Sequence, residues 1–222
     1  MIIGSKEFDL KNHFYMMGIL NVTPDSFSDG GMFDDMDKAL YQVEKLVGDG
    51  TDILDIGGES TRPNHIKITS QEEIERVCPI IEKVKQRFDI PVSLDTYKSD
   101  VAKAGLAAGA DLINDIWGLK WDGTMAEVIA DAGVPCCLMH NRRNMDYKDV
   151  VEDMLTDLGE SVDMALEAGI SKENIMLDPG IGFAKDLNMN LSVMKHLERM
   201  KELGYPVLLG TCLLYTSPSP RD

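Results

Sequence analysis

The sequence predicts an α/β fold, and within that class a (β/α)8 barrel. Short apolar runs alternate along the chain with amphipathic stretches of helical length, a pattern that calls for a parallel sheet with right-handed crossovers. An open doubly wound sheet shares this pattern, but no GxGxxG motif follows the first apolar run. Nearly every run ends in a polar residue, and a ring of polar groups at the carboxyl ends of the strands is how a barrel builds its active site. The polar residues therefore favour the barrel.

The apolar runs and the amphipathic stretches define the predicted elements. The predicted strands are Met16–Leu20, Ile53–Ile56, Pro91–Leu94, Leu112–Asn114, Val134–Met139, Ile175–Leu177 and Pro206–Leu209. The predicted helices are Asp37–Asp49, Ser70–Phe88, Ser99–Ala108, Thr124–Ala132, Lys148–Ala168 and Leu187–Leu203. The polar residues at the strand ends are Asn21, Asp55, Asp95, Asn114, His140 and Asp178. Glycines that follow most of the helices supply the left-handed stop from which the chain returns to the next strand.

Composition and charge narrow the range of partners. The chain has 222 residues and a net charge of −16, which argues against duplex DNA, duplex RNA or an anionic membrane as a partner because each requires a basic face. Neither a secretory start nor an apolar run of the ~18 residues that suggest a membrane span is present, so we expect a cytoplasmic protein. The four cysteines form no CxxC pair, and buried free thiols are expected.

The first predicted strand runs into a long polar loop within Met17–Gly31. The stretch is apolar as far as Leu20, and from Asn21 it is polar and interrupted by proline and glycine. A loop longer than the ~2–6 residues usual between a strand and its helix is often functional. The alternative is a disordered surface insertion. Because Phe27 lies within the loop, we expect a segment that closes over a ligand.

Carboxylates at the ends of buried strands indicate a binding site. Asp95 and Asp178 each follow an apolar run, as does the carboxamide of Asn114. Any one of them could simply cap the next helix, but together they suit a flat heterocycle with a guanidine-like edge. Carboxylate oxygens accept two parallel N–H bonds from such an edge, as they do from arginine.

A second polar stretch, Asp55–Pro63, contains two adjacent glycines and Arg62. Glycines allow a backbone that turns its N–H groups toward an anion, and an arginine adds a forked cation. A tight turn with a solvated arginine is the structural alternative. Beside the loop that begins at Asn21, the stretch is a candidate lid over an anion.

These motifs resemble those of the pterin-binding enzyme family, in particular its bacterial dihydropteroate synthases. The matching stretches, in family order, are Met17–Gly31, Asp55–Pro63, Asp95–Tyr97, Asn114–Gly118, Met139–His140 and Asp178–Phe183. The resemblance implies a (β/α)8 barrel that condenses 6-hydroxymethyl-7,8-dihydropterin diphosphate with 4-aminobenzoate. The products would be 7,8-dihydropteroate and diphosphate, an alkyl transfer in folate biosynthesis.

The resemblance also implies roles for individual residues. The pterin edge would be held by Asp95, Asn114 and Asp178, with Ile116, Met139 and Phe183 as its apolar surroundings. Asn21 would bind the Mg²⁺ that accompanies the diphosphate. Thr61, Arg62 and Pro63 would lie on the loop that covers the diphosphate and aminobenzoate positions. Diphosphate would leave first, and the arylamine would then attack the resulting methylene cation.

The chain departs from the family pattern in three places. Asn141–Asn144 differs from the usual sequence, and Ala184 stands where glycine is frequent. After Thr211 the family continues into a Ser-Arg-Lys motif, an eighth strand and two helices, whereas this sequence ends in Cys212–Asp222. We therefore expect an incomplete barrel domain over 1–211 that lacks the last strand and last two helices, a non-native tail over 212–222, and little activity from the chain as written. Family members are dimers, but the helices that usually form the contact are among those missing.

Two alternative functions remain open at this point. A related pterin-binding barrel, such as a methyltetrahydrofolate-dependent methyltransferase domain, would share the pterin-holding Asp and Asn residues. It would have no use for the Asn21 loop or the Gly57–Pro63 lid. A non-catalytic pterin-binding module is the other alternative.

Overall fold

The computed structural model describes residues 1–22, 32–60 and 67–211, and its six-stranded parallel sheet follows the order of the chain. In a doubly wound sheet the strand order reverses at a switch point, so the sequential order confirms the barrel class. The elements are β1 Ile2–Ile3, β2 Lys6–Glu7, β3 Met17–Asn21, α1 Met32–Gly48, β4 Ile53–Gly57, α2 Ser70–Arg87, β5 Val92–Asp95, α3 Ser99–Ala108, β6 Leu112–Asp115, α4 Met125–Ala132, β7 Cys136–Met139, α5 Val150–Glu167, β8 Ile175–Asp178 and α6 Leu187–Lys195. Most of the predicted first loop, the predicted lid residues from Thr61 to Pro63 and the predicted tail lie outside the described residues.

The alternation of side chains along the strands produces two apolar clusters. Successive residues of a strand point to opposite faces. In β8, Ile175 and Leu177 pack in the main core with residues of the helices, whereas Met176 belongs to a second cluster. This second cluster joins inward-facing residues of the strands to Ile3 and Phe8 of the N-terminal segment. The hairpin β1–β2 thus covers the bottom of the barrel, opposite the carboxyl ends of the strands.

Both edges of the described sheet expose apolar side chains. The predicted strand Pro206–Leu209 appears only as a parallel bridge between Leu177 and Val207. The Leu177 amide donates to the Pro206 carbonyl at 2.9 Å, and the Leu208 amide donates to the Leu177 carbonyl at 2.9 Å. Val207 is 40% exposed, and Ile19 of β3 at the other edge is 46% exposed. The described residues therefore form an incomplete barrel of six strands and the start of a seventh.

Two predicted helices needed correction, and one hairpin was missed. The last predicted helix, Leu187–Leu203, is interrupted at His196, whose φ of −113° ends α6, and a 3-10 helix follows over Leu197–Leu203. Helix α1 begins at Met32 rather than at Asp37. The hairpin β1–β2 was not predicted, since strands of two residues show no periodicity.

Candidate active site

Polar side chains of β4, β5 and β6 meet inside the upper end of the barrel. Asp55 is 4% exposed and lies at their centre. The Ser93 hydroxyl donates to Asp55 Oδ1 at 2.6 Å, and Asn114 Nδ2 donates to Asp55 Oδ2 at 3.3 Å. Burial raises the pKa of Asp55 to about 6, while the two hydrogen bonds act in the opposite direction. The cluster therefore holds a carboxylate at neutral pH at a considerable desolvation cost.

Asp95 lies beside this centre, at the carboxyl end of β5. It is in register with Gly57 on one side and with Asn114 on the other. A Cβ added to Gly57 would lie 3.4 Å from Asp95 Oδ2 and 3.8 Å from Asn21 Oδ1. The glycine therefore allows the Asn21 and Asp95 side chains to approach each other above β4. Burial and the neighbouring Asp55 charge raise the pKa of Asp95 well above its ordinary value.

Asp178 and Met139 face the same interior from the next two strands. They are paired in register between β7 and β8, and both are buried. The Gly180 amide donates to Asp178 Oδ1 at 2.6 Å. Burial raises the pKa of Asp178 to about 6, and the Asp55 charge acts in the same direction. Asp178 and Asp55 thus influence each other electrostatically across the interior.

The alternation of side chains separates inward-facing polar residues from structural ones. Asn114 faces the interior, whereas the next residue, Asp115, accepts the amides of Trp117 at 2.8 Å and Leu119 at 2.7 Å. Asp115 therefore stabilises the turn after β6. His140 is also one of the polar residues predicted at the strand ends, and it follows β7 directly. It follows the inward Met139, so its side chain points outward and contacts Asp157 of α5 at 3.0 Å.

A buried network that the sequence did not reveal connects this outer side to Asp178. Lys185 is 7% exposed, and its Nζ donates to His140 Nδ1 at 2.8 Å, to the Gly180 carbonyl at 2.9 Å and to the Phe183 carbonyl at 3.1 Å. Burial lowers the pKa of Lys185 to about 8. Its only sequence signal was a lone cation two residues after the apolar Phe183.

A second network fixes the base of the segment between β4 and α2. Lys98 Nζ donates to Glu59 Oε2 and to Glu73 Oε2, both at 2.7 Å, and the Tyr97 hydroxyl donates to Glu59 Oε1 at 2.7 Å. The Ile68 amide also donates to Glu59 Oε2, at 3.1 Å. Although burial alone would raise the pKa of Glu59, hydrogen bonds from Lys98 and Tyr97 hold it below its ordinary value. The network brings both sides of residues 60–67 to one charged centre.

The other predicted site residues lie near the ends of the strands or outside the described residues. Ile116 and Phe183 are half-buried near the strand ends, and Asn21 is exposed at the end of β3. Thr61, Arg62 and Pro63 lie outside the described residues. No group of three or more His, Cys, Asp or Glu side chains suited to a metal ion occurs among the residues that the structure describes.

The chain is similar to proteins of one family over most of its length. Residues 17–214 match the family described as pterin binding enzyme. A protein of Clostridium beijerinckii called dihydropteroate synthase is 58% identical over 211 residues, which cover 95% of this chain and 78% of that protein.

Within the described ranges, no helix is both long and apolar enough to cross a membrane.

Two solved structures of dihydropteroate synthases share the fold of this chain. The crystal structure of dihydropteroate synthase from Clostridium difficile in the presence of pteroic acid has a TM-score of 0.90 and 50% identity, and the match covers 92% of this chain and 78% of that chain. The Xanthomonas albilineans dihydropteroate synthase with 4-aminobenzoic acid has a TM-score of 0.85 and 42% identity. That match covers 90% of this chain and 73% of that chain.

Proposed function

The chain belongs to the pterin-binding enzyme family, where its relatives are dihydropteroate synthases, and on this premise we propose that it joins 6-hydroxymethyl-7,8-dihydropterin diphosphate to 4-aminobenzoate. The products are 7,8-dihydropteroate and diphosphate, so the enzyme is a transferase of folate biosynthesis. The observation that carries the proposal is the set of carboxylates and one carboxamide that face a common interior in a chain of this family.

In the proposed complex, Asp95, Asn114 and Asp178 bind the guanidine-like edge of the pterin. The raised pKa values of both aspartates favour this assignment. Hydrogen bonds donated to a carboxylate favour its ionised form, so the N–H groups of such an edge recover part of the free energy that burial costs the two carboxylates. Ile116, Met139 and Phe183 supply apolar contacts to the ring. The described geometry agrees with this arrangement because Met139 is paired with Asp178.

The proposed chemistry needs electrostatic stabilisation and no protein nucleophile. Diphosphate leaves first, and the C–O bond of the substrate breaks with its electron pair on the leaving group. The resulting methylene cation is conjugated with the pterin, and the carboxylates around the ring favour this positive charge. The amine of 4-aminobenzoate then forms the new C–N bond and loses a proton. We place Thr61, Arg62 and Pro63 over the diphosphate and aminobenzoate positions, where a closed segment would exclude water from the cation.

We propose Asn21 as the protein contact of a Mg²⁺ ion. Mg²⁺ prefers oxygen ligands and is commonly bound by one or two side chains together with substrate phosphates and water. The exposed carboxamide of Asn21, directed over Gly57 toward the Asp95 side, fits such a site. When bound, the ion would neutralise charge that develops on the departing diphosphate.

The proposed domain and cellular setting follow the same premise. We assign the activity to a domain over residues 1–211 and treat 212–222 as foreign to it, since a Pro-Ser-Pro ending cannot form a barrel helix. We also propose a cytoplasmic location. The free thiols of Cys78, Cys136 and Cys137 support it, because reducing compartments keep thiols unpaired.

The test measures product formation beside pterin binding. Purified protein is incubated with the pterin diphosphate and 4-aminobenzoate, and 7,8-dihydropteroate is quantified while pterin affinity is titrated separately. We expect Asp95→Asn to abolish detectable pterin binding and the matched exposed variant Asp131→Asn to leave it unchanged. We expect little product from the chain as written, and pterin binding with no product at all would reduce its function to that of a binding module. Methyl transfer from methyltetrahydrofolate, or no pterin binding by the unaltered chain, would refute the proposal.

The metal assignment has its own readout. Asn21→Ala should weaken binding of the pterin diphosphate in the presence of Mg²⁺ and should leave binding of the pterin without its diphosphate unchanged. The affinity of the unaltered chain for the diphosphate should rise on addition of Mg²⁺. Equal loss of both ligands in Asn21→Ala would contradict a metal role for this residue.

A further inference from the structure

The Lys185 ammonium uses its entire hydrogen-bonding capacity within the protein. An ammonium has three donors and no acceptor. Its three partners are His140 Nδ1, the Gly180 carbonyl and the Phe183 carbonyl, at 2.8, 2.9 and 3.1 Å. Because Lys185 is only 7% exposed, water has little access to this group. A buried cation with every donor paired is a strongly oriented one.

Lys185 also determines which ring nitrogen of His140 carries the proton. Since the ammonium can only donate, His140 Nδ1 accepts and the ring proton lies on Nε2, 3.0 Å from Asp157 Oδ2. Arg142 supplies Asp157 with a forked pair of donors, Nε at 2.5 Å and Nη2 at 3.1 Å. Burial lowers the pKa of His140, which keeps the ring neutral near pH 7. The histidine thus links the carboxylate on α5 to the buried cation.

The same cation reaches the proposed pterin site through one glycine. Gly180 accepts Lys185 at its carbonyl and donates its amide to Asp178 Oδ1 at 2.6 Å. Its φ is +66°, and an added Cβ would lie 2.0 Å from the His140 carbonyl oxygen. Backbone and side-chain contacts therefore tie the ends of β7 and β8 together at this point.

We propose that Lys185 is a positioning residue of the pterin site: held in place by His140 and Asp157, it fixes the Asp178–Phe183 turn and keeps the Asp178 carboxylate ionised. The inference rests on the proposed function only for the identity of the ligand. Lys185 touches no substrate in this arrangement and acts through Asp178 and Phe183.

Electrostatics agree with this geometry. Among the residues that the structure describes, two charged groups act on Asp178: Lys185 lowers its pKa and Asp55 raises it. On Lys185 itself, Asp178 and Asp157 favour the charged form and Arg142 disfavours it. The pKa of Asp178 is already raised to about 6 by burial. Without Lys185 it should rise further, so that Asp178 would be protonated over part of the neutral range and could no longer accept two N–H bonds.

The decisive experiment follows the titration of Asp178 without any ligand. The ¹³C signal of its carboxyl group is identified by its absence in Asp178→Asn and is followed with pH in the full chain. We expect a midpoint near pH 6 in the unaltered protein and a midpoint at higher pH in Lys185→Met, because loss of an opposite charge disfavours the ionised carboxylate. Lys195→Met removes an exposed lysine of α6 and should change nothing.

Two further measurements separate positioning from general stability. Pterin affinity in Lys185→Met should fall about tenfold or more at pH 7, the effect of one hydrogen bond to a charged group. When affinity is measured against pH, its decrease on the acid side should begin at higher pH in this variant than in the unaltered chain. If Lys185→Met does not fold, Lys185→Gln, which keeps donors without charge, takes its place with the same expected rise.

The outcomes distinguish the inference from the proposed function. An unchanged Asp178 midpoint in a folded Lys185 variant would overturn the inference, as would failure of both Lys185 variants to fold, which would make the lysine a structural residue first. A shifted midpoint together with no pterin binding by the unaltered chain would retain the electrostatic role of Lys185 and would instead refute the proposed function.

Discussion

Adjacent residues of a strand face opposite sides of the sheet, and in this protein they therefore have different roles. Asn114 and Asp115 are neighbours of similar size, yet one faces the interior and donates to Asp55 while the other stabilises a turn. The sequence predicted that Asp95, Asn114 and Asp178 line one site, because burying a polar side chain costs free energy and a polar residue at the end of an apolar run therefore indicates a function. It did not predict Lys185, whose partner His140 lies 45 residues away and is brought close only by the packing of β7 on β8.

Ala184 is a residue whose strain can be measured. It has a φ of +46°, a conformation that costs a non-glycine residue about 1 to 2 kcal/mol. We expect Ala184→Gly to raise the free energy of unfolding by about 0.5 to 1 kcal/mol, because added chain entropy in the unfolded state offsets part of the gain. Urea unfolding measures the difference. The control Ala130→Gly, within helix α4, should lower stability by about 1 kcal/mol. A loss of stability in both variants would show that Ala184 is not strained.

At the scale of elements, helices were predicted more accurately than the segments between them. Helix α3 was predicted to the residue, and α2 begins as predicted at Ser70, where a capping box between Thr69 and Glu72 closes its first turn. These signals are local, so the sequence carries them directly. The base of the β4–α2 segment depends instead on Lys98, which joins Glu59 and Glu73 from different elements. Such a contact has no periodic signature.

The Lys98 network should dominate the stability of this segment. The side chains of Lys98, Glu59 and Glu73 are only 12%, 4% and 2% exposed, so Lys98→Met would remove the ammonium group that both buried carboxylates contact. We expect a loss of about 3 to 5 kcal/mol in the free energy of unfolding, measured by urea denaturation. Lys120→Met is the control, since its pair with Glu160 is exposed and should be worth less than about 1 kcal/mol. Equal losses in the two variants would contradict a special role for the buried triad.

For the whole molecule, the class of fold was predictable because strands alternate with helices and most of the predicted strands end in a polar residue. The chain-order sheet agrees with the barrel that these two features favoured. The extent of the barrel was harder to predict. The apolar run Pro206–Leu209 has the composition of a strand, but a strand also needs a regular ladder with its neighbour, and among the described residues its pairing is limited to the bridge at Val207. The sequence pattern describes each element singly, whereas pairing is a property of the assembled sheet.

Helix α6, which follows β8, carries a row of exposed apolar side chains. Leu187, Leu191 and Met194 lie on one face of α6 and are 62%, 59% and 37% exposed. Residues spaced in this way form a continuous stripe, and contiguous apolar surface of this kind favours association. We therefore expect the chain to self-associate in a concentration-dependent manner, as measured by sedimentation velocity.

Leu187→Glu with Leu191→Lys should suppress this association. The pair keeps the net charge unchanged, places an acidic residue at the helix start and adds an i, i+4 ion pair, so the helix itself should not be weakened. The control Val47→Glu with Leu166→Lys makes the same charge change at apolar residues that are 37% and 42% exposed on other helices. Because those residues lie outside the stripe, the control should associate like the unaltered chain. If both double variants sediment alike, association depends on the total exposed apolar surface of the chain, and the α6 stripe is not the site of association.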